Sequence, residues 1–219
     1  MFNFFNKTDS DIKRDVINEL MWDSSVTATS VEVSAKEGIV TLRGTVPHFV
    51  EKMAAEHAAE RVGGVKAVAD ELEVKTIFDK SDEEIAAAAL SALKWNYSAP
   101  ENVKVSVEKG WITINGQADW DYQRTAVTNS VSQLMGVRGV TNSISIKTKA
   151  QATDIKTRIE EALKRSAESE GRQISVTIDG DKVTLSGKMH SFSEIDDAQE
   201  AAWMAPGVAE VVNNLRISQ

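Results

Sequence analysis

Gly38-Ile-Val-Thr-Leu-Arg-Gly44 returns as Gly110-Trp-Ile-Thr-Ile-Asn-Gly116 and again as Lys182-Val-Thr-Leu-Ser-Gly187. In each stretch apolar residues alternate with others, the period of a strand with one buried face. A second phrase follows each one. It reads Gly64-Val-Lys-Ala-Val-Ala-Asp-Glu-Leu72, Gly136-Val-Arg-Gly-Val-Thr-Asn-Ser-Ile144 and Pro206-Gly-Val-Ala-Glu-Val-Val-Asn-Asn-Leu215. The copies recur about 71 residues apart, marked by Gly44, Gly116 and Gly187, with Gly38, Gly110 and Gly180 as a second set. A period this long, holding its own helices and strands, indicates small domains in tandem rather than a solenoid of short stacked units. It also provides a control within the chain. Positions apolar in all three copies belong to cores, and positions apolar in one copy only belong to surfaces.

Working outward, each copy is expected to open with a helix. Ser10, Ser81 and Thr153 stand as candidate N-caps, and acids follow them: Asp11, Asp82 to Glu84, and Asp154. Apolar residues then recur at helical spacing: Ile12, Val16 and Leu20; Ile85, Ala89 and Leu93; Ile155, Ile159 and Leu163. A first strand alternates through Val31, Val33 and Ala35, through Val103, Val105 and Val107, and through Ile174, Val176 and Ile178. Glu37-Gly38, Lys109-Gly110 and Asp179-Gly180 supply hairpin turns, because glycine reaches positive φ cheaply. The third of these turns reads as one residue longer.

A second helix runs from about His48, Trp120 and Ser191. Its inner faces are Ala55, Ala58, Ala59 and Val62; Val127, Ser130, Val131 and Leu134; Ala198, Ala201, Ala202 and Ala205. A last strand closes each copy. The fold class is therefore α+β: three tandem α-β-β-α-β domains, each a three-stranded mixed sheet with two helices packed on one face. The expected boundaries are an N-terminal tail at 1–8 and domains at 9–76, 80–148 and 152–219. The linkers, 75–80 and 147–153, hold neither glycine nor proline. Domains joined so closely should touch, and a semi-rigid row is expected.

The chain carries 25 Lys and Arg against 33 Asp and Glu, a net charge of −8. By copy the balance is 9 against 13 over residues 1–78, 8 against 8 over 79–149, and 8 against 12 over 150–219. Long-range attraction to nucleic acid or to an anionic membrane is not expected, and the middle copy is the one least repelled by an anionic surface. With no cysteine, thiol catalysis, disulfides and Cys-based zinc sites are excluded. No stretch approaches the length of an apolar membrane span. Met1 to Lys7 lacks the basic start of a secretion signal, so a cytoplasmic location is expected, with a periplasmic one if the chain is a trimmed mature form.

The paired phrases resemble the BON domain family (bacterial OsmY and nodulation). The likeness rests on a G-x-V-T-L-x-G return strand and a G-V-x-x-V-x-[DN]-x-[LI] closure, and it covers nearly all of residues 9–217. What the resemblance implies is a non-enzymatic surface-binding module tied to phospholipid, envelope maintenance and osmotic stress. Typical members are exported with two copies, whereas this chain has three and no visible signal. The expected function is a non-catalytic scaffold meeting a peripheral membrane surface or an envelope protein. The alternative is a cytosolic sensor of a small ligand or an ion such as potassium, because one cytosolic member joins a BON domain to a LysM module and is linked to potassium. No cofactor is expected, and no nucleic-acid partner.

Single residues add little catalytic chemistry. His48, His57 and His190 do not form an i, i+4 metal pair, and they read as exposed helix histidines. Asp119, Asp121, Asp196 and Asp197 read as helix-start acids. Asp70, Asn142 and Asn213 share one position in the last strand and are expected to pin the backbone locally. No acid, base and nucleophile recur together, so no metal and no catalytic residues are assigned.

The aromatic residues break the repeat. Trp95, Tyr97, Trp111, Trp120 and Tyr122 all fall in the middle copy, five of the seven Trp and Tyr residues. Trp111 aligns with Ile39 and Lys182, Trp120 with His48 and Ser191, and Tyr122 with Val50 and Ser193. Polar counterparts imply at least partial exposure, and with Arg124 nearby these residues suit an interface, either between neighbouring domains of this chain or with an external membrane or protein partner. Trp203 and Met204, aligned with Ser132-Gln133 and Glu60-Arg61, are expected as a surface patch. The assigned binding residues are Trp95, Tyr97, Trp111, Trp120, Tyr122, Arg124 and Trp203. Phe2, Phe4 and Phe5 are expected to dock on the first domain or stay unfolded, their pull toward a bilayer being weak.

Overall fold

The computed structural model describes residues 7–76, 80–147, 159, 174–189, 191–205 and 208–217. The first unit runs α1 (Asp9–Trp22), β1 (Val31–Lys36), β2 (Ile39–Val46), α2 (Phe49–Glu60) and β3 (Ala67–Val74). The second repeats it as α3 (Asp82–Trp95), β4 (Lys104–Glu108), β5 (Trp111–Ala118), α4 (Asp121–Ser132) and β6 (Gly139–Ile146). The third contributes β7 (Ile174–Asp179), β8 (Lys182–Met189), α5 (Phe192–Trp203) and β9 (Glu210–Ile217). Its expected first helix with the Thr153 cap lies outside the described residues except for Ile159, as do Phe2, Phe4, Phe5 and His190.

Each unit folds around one sheet whose middle strand pairs antiparallel with the strand before it and parallel with the strand after it. The parallel pair needs a crossover, and the second helix provides it. Val33, Val40, Leu42 and Leu72 project from one face of the first sheet. They meet Ile12, Val16 and Leu20 of α1 and Ala55, Ala58 and Ala59 of α2 in a single core. Both helices therefore cover the same face. Alanine on α2 lets that helix lie close to the strands, and each fully buried Leu or Val contributes about 1.5–3 kcal/mol. Ile112, Ile114, Val127 and Val131 form the second core. Ile159, Val183, Leu185 and Ala202 belong to the third.

Two local readings are corrected. The first helix is capped by Thr8, not Ser10: the Thr8 hydroxyl accepts the Asp11 amide while Asp11 accepts the Thr8 amide, a reciprocal box. Ser81 caps α3 as expected, and with Glu84 it repeats that box. The third hairpin turn is not longer. Asp179 pairs with Lys182 as Lys36 pairs with Ile39, so all three turns have two residues. The glycine has moved: Glu37-Gly38 and Lys109-Gly110 have positive φ at both residues, whereas Gly180 takes φ +62° at the first turn position. Glycine at the first position suits the other common two-residue hairpin turn, and the strand register is kept.

Gly44 has a conformational reason to recur. At φ +139° it lies so close to the Ser30 carbonyl that a Cβ would overlap the oxygen. Asp70, Asn142 and Asn213 pin the chain as expected, each accepting the amide two residues ahead, at Leu72, Ile144 and Leu215. Their other atoms reach the second helix: Asp70 meets Lys52 Nζ at 3.2 Å, and Asn142 donates to the Arg124 carbonyl at 2.9 Å.

The units do not form the expected row. Phe49, the first residue of α2, packs on the core of the second unit. Arg124 of the second unit lies over the Trp203 ring of the third, 4.5 Å from its centroid. Phe192, the first residue of α5, packs on the core of the first unit. The contacts run from first to second, second to third and third to first, which closes a ring through the second helices.

Candidate functional site

A cleft of about 960 Å³ lies between α4 and α5, lined by Trp120, Tyr122, Arg124 and Trp203 and reached by His57 and Asp196. Trp120 caps α4, and its position is set by Gln123, whose side-chain oxygen accepts the amides of Asp119 and Trp120 at 2.9 and 3.1 Å. One turn on, Arg124 is held from two sides. Asp121 pairs with its guanidinium, and Asn142 ties its carbonyl to β6. The guanidinium plane then covers Trp203, a cation–π contact. Burial pushes the Asp121 carboxyl up against the opposing pull of Arg124. The Trp203 indole N–H is shielded from solvent and finds no acceptor among the described residues.

Four of the seven assigned binding residues thus meet in one cleft: Trp120, Tyr122, Arg124 and Trp203. Trp203 is half-buried under Arg124 rather than an open patch, while Met204 beside it is exposed. Trp95 and Tyr97, at the end of α3, are 85% and 101% exposed and outside the cleft. Asp82 at the start of α3 binds the turn amides of Lys109 and Gly110, so α3 begins at the hairpin-turn end of the sheet and finishes at the opposite end. The strand β5 also runs away from that turn and leads into α4. Trp95, Tyr97, Trp120 and Tyr122 therefore share one end of the second unit. Trp111 sits at the other end, its ring over Gly139 and its indole N–H donated to Thr141 at 2.8 Å.

A second cluster escaped the sequence reading. His57 Nδ1 lies 3.2 Å from Glu60 Oε2 one turn along α2, and Asp196 of α5 faces them across the first and third units. Asp196 lies within α5 rather than at its start. The hydrogen bond that the His57 ring donates to the Glu60 carboxylate holds the imidazole above its usual range. Burial, and then the Glu60 charge, raise the Asp196 carboxyl. Burial, with Asp70 and Glu60, raises Glu56. No repeat signal announces this group, because its members come from different positions of different copies.

The family profile described as BON domain matches residues 8–76, 81–148 and 151–219. Osmotically-inducible protein Y of Escherichia coli (strain K12) is 27% identical over 146 residues, which is 64% of this chain and 73% of that protein. Among solved structures, CdsD, a structural protein of the type III secretion system of Chlamydia trachomatis, aligns over 95% of this chain and 92% of its own at 16% identity and a TM-score of 0.25. The PrgH periplasmic domain aligns over 93% and 100% at 9% identity and a TM-score of 0.23. Superpositions at that level carry no inference about function.

Proposed function

The chain belongs to the BON domain family, in three tandem copies, and from that premise we propose a non-catalytic binding scaffold of the stress- and envelope-related kind that docks a phospholipid surface through its second unit. The observation that carries this reading is the grouping of Trp95, Tyr97, Trp120 and Tyr122 at one end of that unit, Trp120 and Tyr122 being 38% and 61% exposed. Indole and phenol rings join an apolar body to a polar tip and settle at the boundary between headgroups and acyl chains. The second unit also carries no net charge, so an anionic surface repels it least. Similarity to an osmotically inducible protein supports the link to stress.

The test is co-sedimentation of the full chain with neutral and anionic vesicles at two salt concentrations, beside a Trp120→Ala/Tyr122→Ala variant. Binding that drops several-fold in the variant supports the membrane contact. Absence of binding to every vesicle overturns it and points to a protein partner.

A second reading is favoured by one feature, the cleft between two units that each have their own core, lined by Trp120, Tyr122, Arg124 and Trp203. Such boundaries are common places for soluble ligands. A sensor of this kind would show a thermal shift with a soluble ion or metabolite, and Trp95 and Tyr97, outside the cleft, would not matter.

A further inference from the structure

His57, Glu60 and Asp196 each offer one donor atom, and the three atoms lie within 4.8 Å of one another. The first two come from α2 of the first unit and the third from α5 of the third unit. Among the described residues no other group of this kind is present. A tetrahedral ion about 2.0–2.2 Å from imidazole nitrogen and carboxylate oxygen needs donors about 3.4 Å apart. His57 and Glu60 already stand at 3.2 Å. Asp196 has to close by up to about 1.4 Å, within reach of a rotamer change on its side chain.

We propose that these residues form a divalent transition-metal site that clasps the first unit to the third. One imidazole and two carboxylates, with water completing the shell, suit zinc or manganese, whereas a hard oxygen-only shell would favour calcium or magnesium. The electrostatics agree with the geometry. Around the one imidazole stand three carboxylates, those of Glu56, Glu60 and Asp196. Lys52, the nearest lysine on α2, is engaged with Asp70 and the Leu72 carbonyl. Negative charge thus gathers at a junction that must hold together, and a bound cation would turn repulsion into a bridge. The site is independent of the membrane reading, since Trp95, Tyr97, Trp120 and Tyr122 supply no ligand.

The test is calorimetric titration of Zn²⁺, and separately Mg²⁺, into the chelator-treated full chain at neutral pH. Thermal melts are recorded in parallel. Expected are one Zn²⁺ per chain, a higher melting temperature with zinc, and at least tenfold weaker binding in both Asp196→Asn and Glu60→Gln. His48→Ala, which alters an exposed histidine outside the cluster, should bind as wild type does. Because asparagine and glutamine keep the shape of the acids, folding of the variants is checked by their metal-free melts. Zinc binding unchanged in Asp196→Asn places the ion elsewhere and overturns the clasp. No binding up to millimolar zinc overturns the site altogether.

Discussion

Asp9 holds more of the first unit than its place at a helix start suggests. Its carboxylate accepts the amides of Glu37 and Gly38 at 2.8 and 3.0 Å, so it stabilises the hairpin turn where both residues have positive φ. Asp82 does the same for Lys109 and Gly110. Those backbone donors, Glu37 first, hold the Asp9 carboxyl below its ordinary value of 3.8. A depressed carboxyl contributes stability that is present above the unfolded value and lost as the pH falls through the folded one. Asp9→Asn should therefore lower the melting temperature by a few degrees at neutral pH, and its gap to wild type should close below about pH 3.8. Circular-dichroism melts across that range decide it; a gap that stays constant would mean that the charge is not what holds the turn. The sequence reading places Asp11 and Asp82 at the helix starts and passes over Asp9, and it cannot see the reach of either turn-binding acid, since that contact joins residues far apart in the chain. Asp70, Asn142 and Asn213 were legible because all three copies keep a polar side chain at one strand position. His57 and Asp196 were not, because neither has a counterpart of like chemistry in the other copies.

At the scale of the element, periodicity carried the helices, the strands and their shared core face. The inward positions recur in each copy, and burial follows them. Turn chemistry was misread once, at Gly180, because glycine was treated as a fixed marker when it can serve either position of a two-residue turn. The second helices hold a larger lesson. Their first residue is Phe49, Asp121 or Phe192, and in the outer units the phenyl ring packs on a neighbouring unit. In α4 the same place holds Asp121, and the contact with the third unit passes instead through Arg124 and Trp203. Phe192→Ala removes apolar area from the contact between the third and first units while leaving each core whole. The expected cost is about 1–3 kcal/mol of coupling. In urea it should appear as an early transition that separates from the main one. A single curve with an unchanged midpoint and slope would show that the ring contributes nothing to coupling.

At the scale of the molecule, the repeat read correctly as three units and the short linkers as a sign of contact, but closure was hidden. A repeat reveals what copies share, and the ring is built where they differ: Phe49 against Asp121, Arg124 against Ile195, and Trp203 against Glu60 and Ser132. Such residues look like surface departures until the partner unit is in place. Closure changes what the chain presents, since the His57–Glu60–Asp196 cluster exists only if the third unit returns to the first. It also has a dimension that scattering can read. Three units of about 70 residues, each with a radius of gyration near 11 Å and centres about 25 Å apart, give about 18 Å for a triangle and about 23 Å for a row. Small-angle scattering of the wild type should return the smaller value. The Phe49→Ala/Phe192→Ala variant, keeping its three cores but losing two of the three contacts, should move toward the larger. A wild-type value near 23 Å would open the ring and dissolve the clasp with it, while leaving Trp95, Tyr97, Trp120 and Tyr122 at the end of the second unit, where a membrane could still meet them.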